Sequence, residues 1–389
     1  MNPTRMHIKA VERFSCLGSE CPDTCCKGWG MQLTAETVAK YTSEAPELLA
    51  AVSSGESEFI MRRDPATDYC VKFEGGLCSI HRDYGEDFLG DACHFYPRIT
   101  RALGGTLLTS AALSCPEAAR LMLYAEDGEE AFATSERRAV RTPYSLRNVL
   151  PEGLDADAAL GIHQTFLAVA GDTQFSASYN LMRVSAIARA IEMQPANAWA
   201  EAVPLYRAMA ESRIPAAEPQ PVDIFNLLHA LQGLVAASRN PRPALLARIA
   251  AMAQALGAQF AENGAIVLAE DAATYALRVL ARIRAQGNRP EMQAVLRHYV
   301  QAQLSQALFP FAGFGGTLSE RVTVIGVRLA TVRLALATLG EAPDEAAVVE
   351  AIYTLSRFMD HLADPTLSLQ IYRETGWVRE SRLRALIGE

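Results

Sequence analysis

Cysteine is confined to the first third of this chain. All eight cysteines lie between Cys16 and Cys115, and the rest of the 389 residues contain none. Cys21, Cys25 and Cys26 follow Cys16 within one short segment. Thiols gathered in this way serve either as disulfide partners or as ligands of zinc or of an iron–sulfur cluster. The choice between these two fates decides how this part of the chain can fold.

The apolar segments give no sign of export or of membrane insertion. Residues 1–10 contain no apolar run that could form the core of a signal peptide. The longest apolar segment, residues 322–339, is interrupted by Arg328 and Arg333, and a spanning helix needs roughly 20 apolar residues. We therefore expect a soluble, cytoplasmic protein without a membrane partner. Because cytosolic thiols stay reduced, metal binding is favoured over disulfides.

Length and composition predict a globular protein with two domains, or with one domain and a large extension. Half of the residues are hydrophobic and 21% are charged, which is typical of a chain with a continuous core. The net charge of −8 argues against a nucleic-acid partner, which normally meets a basic patch. At residue 116 the sequence changes from segments rich in cysteine, glycine and aromatic residues to segments with helical periodicity. We therefore predict a cysteine-rich domain at residues 1–116 and a helical domain at residues 117–389.

The N-terminal part combines short strands with short helices. Residues 69–73 and 77–80, separated by Gly75 and Gly76, predict a β-hairpin, and residues 98–103 and 106–109 predict a second one. Thr34 is the expected N-cap of an early helix. This region is therefore predicted to be a small α+β domain.

From residue 116 onward the hydrophobic period is that of α-helices. Pro116 and Glu117 form a typical helix start. Strand signals are nearly absent, which predicts an irregular all-α array after the α+β domain and a mainly α fold overall. The further predicted helices cover residues 156–171, 176–193, 197–212, 221–238, 243–257, 268–286, 290–308, 317–339, 344–362 and 365–374.

The spacing of the cysteines permits either zinc or an iron–sulfur cluster, because tetrahedral thiolate sites suit both. His81 and His94 are possible mixed ligands, although a lone histidine more often makes an ordinary hydrogen bond. Some of the thiols could instead be small buried hydrophobes. The candidate metal ligands are Cys16, Cys21, Cys25, Cys26, Cys70, Cys78, Cys93 and Cys115.

Five blocks around the cysteines resemble the N-terminal part of flagellin lysine-N-methylases, the FliB-type proteins. The first blocks are also similar to a broader family of zinc- or iron-chelating domains. A weaker, collinear resemblance continues to about residue 365, through residues 298–300, 308–311 and 357–361. The five blocks are residues 14–18, 21–29, 76–81, 93–99 and 113–121.

The resemblance implies an enzyme that transfers methyl groups from S-adenosylmethionine to lysine side chains of flagellin. It also implies a [4Fe-4S] cluster held by the N-terminal cysteines, with zinc as the alternative metal. Tyr96 and Glu117 are candidate bases near the cysteines, together with Asp23 and Asp91. Arg98 and Arg120 are candidates for binding the cofactor carboxylate. Each of these residues has a structural alternative, such as an ion pair or a helix cap.

Two familiar routes of S-adenosylmethionine chemistry lack their sequence signatures. Residues 313–316 are glycine-rich but follow no strand, which argues against a Rossmann-type methyltransferase. The spacing Cys21-x3-Cys25-Cys26 differs from the Cys-x3-Cys-x2-Cys of radical enzymes. A polar transfer with a structural or positioning metal is thus favoured over a radical one. A metal-chelating or metal-delivery protein without enzymatic activity remains the alternative, and the oligomeric state stays open.

Overall fold

The chain is described here by a computed structural model. It describes residues 4–54, 59–127, 130–135, 146–210, 219–237, 243–261, 265–362 and 364–388. Over these ranges the protein is mainly helical, with an α+β region at the N-terminus, which confirms the predicted fold class. None of the described helices combines the length and apolar character that crossing a membrane requires.

Short strands form four small sheets. Their orders are β7-β8-β1-β9, β2-β4-β3, β5-β6 and β10-β11. The strands are β1 (Thr4–His7), β2 (Gln32–Leu33), β3 (Val52–Ser54), β4 (Phe59–Met61), β5 (Phe73–Glu74), β6 (Leu77–Cys78), β7 (Arg98–Leu103), β8 (Thr106–Ala111), β9 (Ala133–Thr134), β10 (Ala258–Phe260) and β11 (Ile266–Leu268).

The four-stranded sheet joins the chain's beginning to the second predicted hairpin. Strands β7 and β8 pair antiparallel, and β1 lies parallel to β8 with Thr4 opposite Thr106. The hairpin turns at Gly104, whose φ of 60° suits glycine because it has no Cβ to clash. The hairpin predicted at residues 98–109 is confirmed.

Five short helices belong to the N-terminal part. Thr34 caps α2, because its side-chain oxygen accepts a hydrogen bond from the Thr37 amide at 3.2 Å. Pro116 is the first residue of α5. Both predicted helix starts are thus confirmed. The five helices are α1 (Lys9–Arg13), α2 (Ala35–Glu44), α3 (Ser79–Tyr84), α4 (Asp91–Phe95) and α5 (Pro116–Leu123).

Eleven further helices follow among the described residues, and ten of them match the predicted segments to within a few residues. The predicted ends at residues 212 and 238 lie outside the described ranges. The helices are α6 (Ala156–Ala170), α7 (Ala177–Glu192), α8 (Trp199–Ala210), α9 (Pro221–Ala237), α10 (Pro243–Ala255), α11 (Ala272–Gly287), α12 (Pro290–Ala307), α13 (Leu318–Leu336), α14 (Glu345–Met359), α15 (Pro365–Glu374) and α16 (Glu380–Ile387).

Two separate hydrophobic cores organise the chain. The helical core contains apolar side chains of α6–α16 and also those of α1, β8 and α5. The small core is formed within residues 31–89, by Met31, Leu33, Tyr41, Ala45, Leu48, Ala51, Met61, Cys70, Ile80 and Leu89. The predicted domains, residues 1–116 and 117–389, stay a prediction, since β8 and α1 share a core with the later helices.

Three local features differ from the predictions. The first hairpin is shorter than expected, because Tyr69 and Cys70 make isolated bridges to Lys27 and Arg63 instead of extending a ladder. Strands do occur after residue 116: β10 pairs with β11, and α11 therefore begins only at Ala272. Helix α16 was missed, because its short sequence offers few apolar residues to mark a period.

Candidate metal centre

Hydrogen bonds to backbone groups hold the loop at residues 16–29 in place. The Cys25 carbonyl accepts a hydrogen bond from Trp29 Nε1 at 2.5 Å, and Thr24 Oγ1 accepts one from the Cys26 amide at 3.1 Å. The Cys70 amide donates to the Cys26 carbonyl at 2.8 Å. These bonds bring the first cysteine group against the second one, although about forty residues separate them in sequence.

Cys25 interacts with several of the other thiols. Hydrogen bonding to Cys25, followed by burial, raises the pKa of Cys26. Burial raises the pKa of Cys21, Cys70 and Cys78, and repulsion from a Cys25 thiolate adds to each rise. The electrostatic contacts therefore connect five thiols from three segments of the chain.

The remaining cysteines occupy more varied positions. Burial raises the pKa of Cys115, directly before α5, to about 12, and this thiol interacts with Cys21. Cys93 is half-buried and packs against the small core. Cys16 is exposed, although its charge also acts on Cys21. The eight cysteines thus divide into an inner group that interacts with Cys25 and an outer group of three, and the predicted set of metal ligands stays a prediction.

The donor chemistry of the inner group suits a metal, but the ligands are not preassembled. In the ranges that the structure covers, no three His, Cys, Asp or Glu side chains are arranged to hold an ion. Thiols with raised pKa values stay protonated without a cation, and a bound metal ion is what deprotonates them. The sulfur donors of these residues therefore suit a thiolate-ligated metal. The ligands would move into place around the metal only when it binds.

The two histidines near the cysteines have other surroundings. His94 is buried, with its Nδ1 atom 3.5 Å from Glu86 and its ring edge-on to Phe95. His81 is exposed on α3. Among the described residues, neither histidine joins the inner thiols in a group of three or more side chains that could hold a metal ion.

Arg357 of α14 anchors the cysteine loop to the helical region. Its side chain is 7% exposed and forms an ion pair with Asp23. It also donates hydrogen bonds to the carbonyls of Asp23 at 2.8 Å, Thr24 at 3.2 Å and Ser114 at 2.6 Å. One guanidinium therefore ties the first cysteine segment and the segment before Cys115 to a helix more than 200 residues away.

A chain of hydroxyl and imidazole groups runs beside the thiols. Tyr96 OH lies 3.2 Å from Ser114 Oγ, which in turn lies 2.8 Å from His361 Nε2. Burial raises the pKa of Tyr96, so that the neutral phenol is its stable form. Among the four predicted bases, Tyr96 is the one that belongs to this chain, and the charges of Cys115 and Cys25 both add to the rise of its pKa.

The other predicted site residues are engaged elsewhere. Both carboxylate oxygens of Glu117 accept hydrogen bonds from Arg120 at 2.8 Å. Arg120 also approaches Glu345 at 3.8 Å. Arg98 donates to the His94 carbonyl at 3.4 Å and lies over the ring of Phe14.

Sequence reasoning missed the anchoring role of Arg357. The segment at residues 357–361 was noted only as a weak resemblance, yet it supplies both Arg357 and His361 to this site. The signal that could have indicated its role was the order of this segment in the chain, which is the same as in the family it resembles. Asp91, another predicted base, is buried, and Asp23 serves the ion pair with Arg357.

Comparison with known proteins finds three similar curated chains. A lysine-N-methylase of Salmonella typhimurium is 27% identical over 151 residues, which is 36% of this chain and 37% of that enzyme. A lysine-N-methylase of Salmonella choleraesuis is 26% identical over the same length. The flagellar biosynthetic protein FliU of Salmonella muenchen is 27% identical over 147 residues, 35% of this chain and 85% of FliU.

The matched segment spans about a third of the two methylases. No family model matches the chain, and no solved structure matches it. The similarity is thus a matter of sequence over one segment, shared by relatives whose names concern lysine methylation and the flagellum. Within those bounds, the comparison confirms the resemblance of this chain to the flagellin lysine-N-methylase family.

Proposed function

We propose that this protein transfers methyl groups from S-adenosylmethionine to lysine ε-amines of flagellin. The observation that carries the proposal is the sequence similarity to two lysine-N-methylases, joined by similarity to a flagellar protein. Arg357 supports it from the structure, because this residue connects the cysteine loop to the weakly similar segment at residues 357–361. Both parts of the resemblance therefore contribute to one site.

The proposed metal centre is a [4Fe-4S] cluster, with zinc as the alternative. Cys25, Cys26 and Cys78, with Cys21 or Cys70, are the residues that would hold it, since these thiols interact with one another across three segments. A bound metal would supply a positive charge that keeps the thiolates ionised and fixes the loop. The positive charge of Arg357 on Cys21 and Cys115 acts in the same direction.

The chemistry asks for a neutral amine held in line with the methyl group. A lysine ammonium has a pKa of about 10.4 in water, so it must first lose a proton. The nitrogen lone pair then forms the N–CH3 bond while the S–CH3 bond breaks and its electron pair stays on sulfur. The products are methyl-lysine and S-adenosylhomocysteine, and water or a nearby base takes the proton.

Tyr96 contributes to this reaction best as a neutral phenol. Its OH is in hydrogen-bonding range of Ser114, and its raised pKa disfavours a resting tyrosinate. We therefore assign Tyr96 to positioning, through a hydrogen bond to the incoming amine or to the loop. Glu117 is a weaker candidate, because both of its oxygens bind Arg120.

Labelled S-adenosylmethionine and the flagellin of the same cell test the proposal. Protein purified without oxygen should transfer the label to flagellin lysines and release one S-adenosylhomocysteine for each methyl group. Proportional 5′-deoxyadenosine would keep the enzyme but replace polar transfer with a radical route. Bound metal without any label transfer would favour a metal-chelating or metal-delivery protein.

A further inference from the structure

A cavity of about 280 Å³ is lined by residues of β7, α12, α13 and the segment that joins α14 to α15. Its lining includes exposed His361 and Gly313 as well as fully buried Phe309, so it extends from solvent into the interior. Pockets for small organic ligands begin at about 300 Å³. The size of this cavity therefore suits an inorganic ion better than a cofactor.

The lining of this cavity carries more positive than negative charge. Arg101, Arg321 and Arg328 belong to it, and Asp360 is the one acidic residue among the described lining residues. Arg328 Nη1 lies 2.9 Å from Asp360 Oδ1, so the charges of these two side chains offset each other. The charges of Arg101 and Arg321 are left, and they favour an anion over a cation as the occupant.

Arg101 has the less favourable surroundings of these two arginines. Arg321 donates hydrogen bonds to two backbone carbonyls. Burial lowers the pKa of Arg321, but the charge of Glu192 opposes this fall. Burial also lowers the pKa of Arg101, and repulsion from Arg147 adds to the fall, while no acidic group among the described residues opposes it. The guanidinium of Arg101 is thus a half-buried cation beside a second one.

Three lining residues have a buried N–H donor without a partner in the part of the chain that the structure describes. The donor atoms are Nε of Arg101 and Nε2 of Gln303 and of Gln306. Gln303 is 3% exposed, and its Oε1 accepts a hydrogen bond from Arg328 at 2.8 Å, so the amide nitrogen is the end that needs an acceptor. Gln303 and Gln306 are three residues apart on α12 and therefore share a face of this helix.

Either water or an anion can accept hydrogen bonds from these donors, and the charge of the lining decides between them. Water satisfies buried donors but brings no charge to offset that of Arg101. An oxyanion accepts several hydrogen bonds at once and carries the opposite charge. Charge-assisted hydrogen bonds of this kind are about twice as strong as those between neutral groups. The donors and the charge together therefore favour a small oxyanion.

We propose that this cavity is a binding site for a small tetrahedral oxyanion such as phosphate. The Nε atom of Arg101 and the amide nitrogens of Gln303 and Gln306 donate hydrogen bonds to its oxygens, and Arg321 adds positive charge. The bound ion joins β7 to α12 and stabilises the folded chain, because the unfolded chain does not hold these groups together. This inference goes beyond the proposed methyl transfer and does not depend on it.

Isothermal titration with inorganic phosphate tests the site. The full chain, purified with its metal, is titrated in a buffer free of phosphate and sulfate, and chloride at the same ionic strength is the blank. The wild type should bind one phosphate per chain with a Kd of about 1 mM or lower. Its Tm should rise with phosphate concentration and should not rise with chloride. A parallel titration with glycerol 3-phosphate examines phosphate esters.

Three variants locate the site. Arg101→Gln loses the charged donor, so its Kd for phosphate should rise about tenfold or more. Gln306→Glu keeps the shape of the side chain but adds a negative charge, so it should lose phosphate binding while its Tm without phosphate equals or exceeds that of the wild type. Arg98→Gln removes the same charge from the same strand, where Arg98 binds the His94 carbonyl, and its Kd should change by no more than about twofold.

A wild type that responds to phosphate no more than to chloride would show that water fills the cavity, and this would overturn the proposal. Phosphate binding that both Arg101→Gln and Gln306→Glu retain would overturn it as well, because the ion would then bind elsewhere. Equal binding of phosphate and glycerol 3-phosphate would support a site for phosphoryl groups in general. Binding of phosphate alone would support a site for the free ion.

Discussion

The small core and the helical core differ in what holds them together. In the helical core, large side chains such as Trp377, Tyr299 and Phe309 are fully buried. The small core has ten buried residues, and half-buried Cys26, Cys78 and Cys93 pack against it. Few apolar contacts stabilise a region of this size, so small domains of this kind commonly depend on a metal. The contrast predicts that the two regions fail under different treatments.

Loss of the metal centre should have the largest effect, and mainly on the small core. We expect Cys78→Ser to lower metal content and to speed hydrogen exchange in residues 59–95, while exchange in α12 and α13 changes little. Structural metal sites contribute on the order of 10 kcal/mol to folding in the smallest domains. Metal analysis and hydrogen exchange followed by mass spectrometry give the two readings.

Cys16→Ser is the control for this prediction, because Cys16 is exposed and lies in the outer group. It should keep most of the metal and the wild-type exchange pattern. Equal exchange in wild type and Cys78→Ser, with metal content unchanged, would make Cys78 a packing residue. Zinc at one ion per chain without sulfide would retain the site and replace the cluster.

Loss of the Arg357 anchor should affect both regions at once. Arg357→Met leaves the Asp23 carboxylate without its buried partner, a change that typically costs about 3–5 kcal/mol in free energy of unfolding. Denaturant unfolding measures the loss. Arg373→Met removes a guanidinium that pairs with Glu320 but is 56% exposed, and it should cost no more than about 1 kcal/mol.

Similar costs for these two variants would contradict the role assigned to Arg357. Hydrogen exchange adds a second reading, since Arg357→Met should loosen residues 21–26 and the start of α5 together. A change confined to α14 would show that the cysteine loop holds its position without the anchor.

Acid should weaken the helical core through His163. Burial lowers the pKa of this histidine from 6.5 to about 4, and its Nδ1 donates to the Phe309 carbonyl at 2.7 Å. The unfolded chain therefore takes up the proton first. The contribution of His163 to stability is complete above pH 6.5 and is lost as the pH falls toward 4, by about 3 kcal/mol.

The variant His163→Gln isolates this effect. Between pH 7 and 4, its free energy of unfolding should fall by about 3 kcal/mol less than that of the wild type. Parallel pH curves for the two proteins would mean that the buried imidazole does not couple folding to protonation. Hydrogen exchange in α6 and α12 should show the same difference between the two proteins. His163 lies on α6 and binds the carbonyl of Phe309, directly after α12.

Local patterns in the sequence predicted the local structure well. Thr34 and Pro116 mark their helix starts by capping chemistry that depends on a few neighbouring residues. The clustering of cysteines predicted a metal site, and that stays a prediction. The outcome at Cys16, which is exposed, shows the limit of spacing alone, since spacing does not tell which thiols face one another.

The contacts that join distant segments were not predictable from pattern. Arg357 meets Ser114 across more than 200 residues, and in the sequence only the weak family resemblance of residues 357–361 drew attention to it. Arg101 and Arg98 look equivalent within one strand, yet Arg101 lines a cavity shared with residues of α12 and α13, whereas Arg98 binds the His94 carbonyl. Tertiary packing, not local propensity, decides these roles.

Peptide mass spectrometry of flagellin is the most direct test of the central claim. Flagellin is incubated with S-adenosylmethionine in the presence or absence of the protein, which is purified without oxygen and with its metal. The account predicts methyl-lysine in flagellin treated with the wild type and none in flagellin incubated without it. Flagellin that stays unmodified by a wild type with its metal and S-adenosylmethionine bound would contradict it.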